Sequence, residues 1–172
     1  MKPIFHLLAA GPLLAAAPAL AHVTLETAEA KPASTYKAVL RVGHGCEGSP
    51  TRAIRVRIPD GVIAVKPMPK PGWELVTTIE PYAEPVPYYD QTLTEGVREI
   101  AWTGGNLPDA WYDEFVFRVR LPDGEPGRTI YFPVVQECET GVHRWIEIPE
   151  PGRSADDYKE PAPGVTFTSA QP

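Results

Sequence analysis

The sequence has no surplus of positive charge. Its 16 Lys and Arg stand against 22 Asp and Glu, a formal net charge of −6. Bulk attraction to nucleic acid or to an anionic membrane surface is therefore disfavoured. The sequence also lacks any sustained apolar repeat at helical spacing. Its 21 prolines among 172 residues are well over twice the usual share of about 5%. A proline inside a helix costs about 3 kcal/mol, which argues against a helix bundle. No Gly-Xaa-Yaa period exists, so the chain is not collagen-like, and no internal repeat is present. Sulfur is scarce, with two Cys and two Met. At 172 residues and 43% hydrophobic content, one globular domain is expected.

The one long apolar run lies at the start. Lys2 is the sole charged residue before Glu26, and Ile4 to Leu20 is apolar apart from His6. Ala19-Leu20-Ala21 has the small-x-small form of a signal-peptidase site. The run is short for a membrane span and is followed by His22-Val23-Thr24, not by a basic flank. Residues 1–21 therefore read as a cleaved signal peptide. No Cys stands at the cleavage point, which excludes a lipoprotein. The expected product is periplasmic or secreted and does not span the membrane after cleavage.

Cys46 and Cys138 are the whole cysteine inventory, 92 positions apart. In an exported chain one Cys pair reads as one disulfide. A thiolate copper site is the competing reading. It calls for other soft ligands, yet Met68 is the lone Met beyond residue 21.

The body of the chain alternates with period two, the mark of half-buried strands. Tyr36, Ala38, Leu40 and Val42 form one such set, and Ile54, Val56 and Ile58 another. Phe115, Phe117, Val119 and Leu121 follow, then Ile130, Phe132 and Val134. Turn signals such as Pro59-Asp60-Gly61, Gly104-Gly105 and Pro122-Asp123-Gly124 separate them. The fold class is all-β, an antiparallel β-sandwich of immunoglobulin/fibronectin-like or cupredoxin-like form. Pro81 to Asp90, with three prolines, is expected to be a long loop. The domain is expected to span 22–149. Residues 150–172, rich in Pro and charge, are expected to be a flexible tail with only Val165 and Phe167 to bury.

Cleavage after Ala21 would give His22 a free α-amine. Amine and ring Nδ1 can then close a six-membered chelate on one ion, and two nitrogen donors of this type suit Cu(II). Cleavage by itself does not single His22 out, since some residue must follow the site. A second group of interest is Gly43-His44-Gly45-Cys46-Glu47-Gly48, a glycine-rich strand end. A Cys46–Cys138 bond would bring Glu47 close to the segment leading to Trp145. Unaided, these residues leave Glu47 a solvated carboxylate, Trp145 a core aromatic and His44 a turn residue.

Several pieces in order give the chain a resemblance. They are His22-Val23-Thr24, the acidic turn with Glu47, Lys66-Pro67-Met68-Pro69-Lys70-Pro71-Gly72-Trp73, Ile100-Ala101-Trp102-Thr103-Gly104-Gly105, and Tyr131 to Gln136 running on to Trp145. Across roughly residues 22–149 the chain resembles the YcnI-like family of exported bacterial copper-binding proteins, first catalogued as a domain of unknown function. The resemblance implies a β-sandwich with one Cu(II) per chain in a single-histidine brace. His22 would supply the amine and Nδ1, Glu47 the carboxylate, and Trp145 an indole over an axial face. His44 is an additional candidate ligand, because the His44-Gly45-Cys46-Glu47 run and the Cys pair depart from the family pattern. The implied role is copper trafficking or homeostasis without catalysis. The partners are then the copper ion and a copper transporter or another periplasmic chaperone. Two alternatives compete with it. One is a copper-dependent oxidative enzyme resembling lytic polysaccharide monooxygenases, with His44 or His143 completing the brace. The other is a metal-free adhesion or scaffold sandwich.

Overall fold

A computed structural model describes residues 22–169; the signal-peptide expectation for 1–21 lies outside the described residues. Twelve strands run β1 Thr24–Leu25, β2 Glu29–Ala30, β3 Thr35–Val42, β4 Thr51–Arg57, β5 Ile63–Pro67, β6 Glu74–Tyr88, β7 Gln91–Leu107, β8 Asp113–Arg120, β9 Thr129–Tyr131, β10 Val134–Cys138, β11 Val142–Trp145 and β12 Gly164–Phe167. A four-stranded sheet has the order β1-β3-β8-β5, and a five-stranded sheet the order β11-β10-β4-β7-β6. Both are antiparallel, and their inward side chains meet in one core. A third sheet, β2-β12-β9, closes one flank. The fold is the expected all-β sandwich. Among the described residues no helix is long and apolar enough to cross a membrane.

Alternation explains the layers. Ala38, Leu40 and Val42 of β3 face Ile54 and Val56 of β4 across the core, all at 0% exposure. Phe115 and Phe117 of β8 are equally buried and pack edge-on against Trp102 and Phe132, at 5.5 Å in each case. Burying each such side chain is worth about 1.5–3 kcal/mol. The intervening Arg55 and Arg57 face outward. Arg55 meets Glu137 at 2.7 Å and Arg57 meets Glu80 at 2.9 Å across the sheet. Such exposed pairs add little stability singly. Two of the resembling sequence pieces are structural. Trp73 covers Gly105, where an added Cβ would lie 2.1 Å from the indole. Trp102 Nε1 donates to the Met68 carbonyl at 3.0 Å.

Two expectations are corrected. Residues 81–90 are not a long loop; most of them extend β6 into a hairpin with β7. Strand β6 is the sheet edge, where a proline forfeits no ladder bond on its open side. The register shifts between Pro81 and Val86, so Pro85 sits where pairing is interrupted, while Pro81 and Pro87 stay in register opposite Glu95 and Thr92. The stretch from 150 is not a flexible tail throughout. Strand β12 pairs antiparallel with β9 and parallel with β2, and Val165 and Phe167 reach 0% and 2% exposure inside the core. Composition pointed to disorder, but two well-placed apolar side chains and a paired backbone hold this segment in place. Phe132 N donates to the Pro163 carbonyl and Ala162 N to that of Glu147, both at 2.8 Å.

Candidate metal centre

The candidate site lies where the start of the chain, the turn after β3, and strands β10 and β11 converge. His22 leads into β1, whose Val23 and Leu25 are buried. Its Nε2 is buried without a hydrogen-bond partner, the one such side-chain atom among the described residues. A dry, unpartnered polar atom costs about 1–3 kcal/mol and calls for a missing partner. The ring lies 5.5 Å from Trp145, centroid to centroid.

Trp145 ends β11 and is 3% exposed. Period two places His143 on the same face, and their rings are 4.9 Å apart at 32°. Across the β10–β11 pair, His143 is opposite Gln136. That glutamine is fully buried. Its Oε1 accepts from Trp145 Nε1 at 3.0 Å. Its Nε2 donates to the His44 carbonyl at 2.7 Å and to Thr51 Oγ1 at 2.8 Å. One side chain thus fixes both the indole and the turn carrying His44. Sequence reading missed Gln136, although a signal existed: it continues the inward register of Ile130, Phe132 and Val134.

The turn itself is tightly specified. Cys46 and Ser49 exchange both backbone hydrogen bonds, at 3.0 and 2.9 Å. Between them Glu47 and Gly48 both take positive φ, 50° and 87°, the pattern of a type I′ turn. For Glu47 the left-handed backbone costs on the order of 1 kcal/mol. Gly45 cannot carry a side chain, since an added Cβ would lie 1.9 Å from the Ser49 carbonyl oxygen. Its N–H donates to Asp109 Oδ1 at 2.9 Å. His44 Nδ1 is 2.5 Å from the Gly45 carbonyl, which can only accept, so this nitrogen donates its N–H there. The His44 ring stands 5.7 Å from His143 and 6.3 Å from Trp145.

Cys46 and Cys138 form the expected disulfide, with Cα atoms 6.0 Å apart. It brings Glu47 and the β10–β11 turn around one open pocket of about 260 Å³, which His143 also lines. His22 borders a different pocket of about 210 Å³, against Pro161–Gly164. The structure therefore joins Trp145 to His22 on one side and Glu47 to His143 on the other. His22 and Glu47 do not line a common pocket. Among the described residues no three His, Cys, Asp or Glu side chains form a ready metal set. A brace needs fewer side chains, because a terminal amine would be its third donor.

Glu160 also enters the site, unforeseen because it lies in the supposed tail. Its Oε1 is 2.8 Å from His143 Nδ1, and its Oε2 accepts from Arg144 N at 3.1 Å. Burial alone would raise its carboxyl. The hydrogen bonds from His143 and Arg144, with the charges of His143 and Lys159, outweigh that and hold it below the usual carboxylate range.

A family model described as Domain of unknown function (DUF1775) matches residues 22–167, through the end of β12. No curated protein matches the chain. Among solved structures it is similar to a crystal structure of an uncharacterized protein from Nocardia farcinica with an immunoglobulin-like fold. The identity is 24%, the coverage 88% of this chain and 100% of that one, and the TM-score 0.64. At that identity the likeness shows the fold alone, and it favours the immunoglobulin-like form over the cupredoxin-like one.

Proposed function

The chain belongs to the family described as a domain of unknown function, DUF1775, and from that premise we propose that it is an exported copper-binding protein. On this reading it holds one Cu(II) through the amine and ring of His22 and the carboxylate of Glu47, with the Trp145 indole covering one face. His44 is the additional candidate ligand. The observation that carries the reading is the placement of the His22 ring beside the buried Trp145 indole, 5.5 Å between centroids, which would set a metal chelated at Nδ1 and the amine next to that indole. Amine, imidazole and carboxylate are borderline to hard donors that suit Cu(II) and disfavour Cu(I). An indole is no ordinary σ-donor, but its π face can lie against a cation and keep water and small oxidants away. That favours holding and handing over the ion, as a chaperone, buffer or delivery partner does, over oxygen chemistry, which needs an open position. The disulfide suits an oxidising, exported compartment. A copper transporter or another periplasmic chaperone is the kind of partner such a role requires.

The test is a Cu(II) titration against a competing chelator. Protein processed to begin at His22 should bind one ion tightly. A form with an extra Met ahead of His22 should lose that site, and Glu47→Gln should weaken it while the fold persists. Equal affinity with and without the extra Met would overturn the brace. One observation favours a second reading: three imidazoles surround Trp145 at 4.9–6.3 Å. A two-histidine brace would revive the oxidative enzyme. Peroxide consumption or polysaccharide cleavage by the reduced copper protein would then be seen.

A further inference from the structure

The outer face of the four-stranded sheet carries charge that nothing offsets. By alternation Lys37 of β3 and Arg118 and Arg120 of β8 point away from the core, and Lys66 of β5 is exposed. The register sets Lys37 directly opposite Arg118, and Arg118 directly opposite Lys66. These three cations form one row across three adjacent strands, with Arg120 further along the same face of β8. Like charges facing each other across strands are destabilising. Yet none of the four side chains has an ion pair or hydrogen bond among the described residues. The outer face of the other sheet is different: there Arg55 meets Glu137 and Glu99, and Arg57 meets Glu80. An edge lysine can serve to repel stray strands, which would account for Lys66. It does not account for Arg118, whose strand lies between β3 and β5. In a chain of net charge −6, a self-repelling row of cations calls for an anionic partner.

The row leads into a cleft. Arg120 lines an open space of about 400 Å³ together with Ile63, Val86, Tyr88 and Tyr89. The two tyrosine rings are 4.7 Å apart, and Tyr89 is 84% exposed. Guanidinium groups grip carboxylates in bidentate pairs, and an apolar side chain seated in a pocket is the usual anchor of such contacts. Asp123 lines the same cleft, and Glu114 shares the outward face of β8. A bilayer would meet those carboxylates along with the cations, whereas a narrow peptide segment meets the row alone. We propose that this face docks an acidic segment of a partner protein, its carboxylates on Lys37, Arg118, Lys66 and Arg120 and one apolar side chain in the tyrosine cleft. The row contains none of the candidate metal donors, so the inference stands apart from the copper reading.

The experiment is a fluorescence anisotropy titration of the mature protein beginning at His22. The probes are a labelled Glu-rich peptide carrying one Phe, the same peptide with Gln for every Glu, and, read by co-sedimentation, phosphatidylglycerol vesicles. The Glu peptide should bind, more weakly as salt rises, and the Gln peptide and the vesicles should not. Arg118→Glu should weaken the Glu peptide about tenfold or more, as the loss of a charge-assisted contact does. It should also raise Tm, because it sets an acid between two cations. Lys159→Glu makes the same charge change outside the row and should leave binding unchanged. Absence of peptide binding, equal binding of the two peptides, or equal affinity of wild type and Arg118→Glu would each overturn the proposal. Vesicle binding in place of peptide binding would overturn it too and assign the row to a membrane. The comparison of the two peptides on wild type needs no variant to fold.

Discussion

Replacing Gln136 by Met should be among the most damaging single changes in the protein, for a reason separable from packing. Met has nearly the same length and volume, so no cavity opens. What is lost is three hydrogen bonds from a fully buried amide. Trp145 Nε1–H is left dry on a residue 3% exposed. Thr51 Oγ1 keeps only a 4.0 Å approach to Cys138 Sγ. The half-buried His44 carbonyl also loses its bond from this amide. Each dry, unpaired group costs about 1–3 kcal/mol. The two fully buried ones, Trp145 Nε1 and Thr51 Oγ1, therefore sum to roughly 4 kcal/mol. For a domain of this size each kcal/mol moves Tm by about 2–4 °C, so a fall on the order of 10 °C is expected in a calorimetric scan. A double-mutant cycle with Trp145→Phe should recover part of the loss as coupling, because the two residues share one bond. A fall of less than about 2 °C with the fold intact would refute the assignment of Gln136 as the hub.

Two further outcomes follow from the same structure. Substituting Ser for both Cys46 and Cys138 should cost about 4–5 kcal/mol in the chain-entropy picture for so long a loop. Denaturant midpoints would show it, and a loss under about 1 kcal/mol would contradict it. On the copper reading, metal binding should loosen in that variant without loss of a ligand. Tyr36, whose hydroxyl donates to the Thr27 carbonyl, has its pKa pushed up to about 12 by burial and then by Glu26. A raised pKa means that the fold favours the neutral phenol. Its contribution is complete below the ordinary value of about 10 and is lost as pH climbs through about 12. Tyr36→Phe should flatten that alkaline fall in stability, at about 1 kcal/mol cost near neutrality. An unchanged alkaline slope in the variant would show that Tyr36 is not the group responsible.

Strand identity was legible because burial follows parity. Residues such as Leu40, Ile54 and Phe117 are inward on alternation alone, and the structure buries each completely. The disulfide was legible from compartment and count. Edge position was not. Nothing in Pro81, Pro85 and Pro87 tells that β6 has no partner on its outer side among the described residues, and that edge position is what makes the prolines tolerable. The last segment was misread for a related reason. Composition averages over residues, whereas Val165 and Phe167 stabilise β12 by their placement beside β9, which only topology supplies. The approach of His44, His143 and Trp145 likewise depends on the β10–β11 register and on the Gln136 bridge. Neither has a local signature beyond one polar residue in an inward register.

The placement of these groups in the chain constrains when the site can exist. His22 stands at the start of the described chain, His44 to Glu47 follow β3, His143 and Trp145 belong to β11, and Glu160 comes just before β12. Bringing them together requires the long-range β10–β4 and β12–β9 pairings, which carry a loop-closure cost that the Cys46–Cys138 bond reduces. On the copper reading, two events must therefore precede tight binding: cleavage frees the amine, and oxidation fixes the Glu47 turn. A chain missing either of them offers scattered donors to a metal, not a site. Export and oxidation act outside the cytoplasm, so the same order would keep the nascent protein from taking copper there. Unprocessed protein should accordingly bind Cu(II) no better than a denatured chain carrying the same histidines, and reduced protein more loosely than oxidised; a tight site in the unprocessed form, or equal affinity on reduction, would break the link between maturation and metal capture.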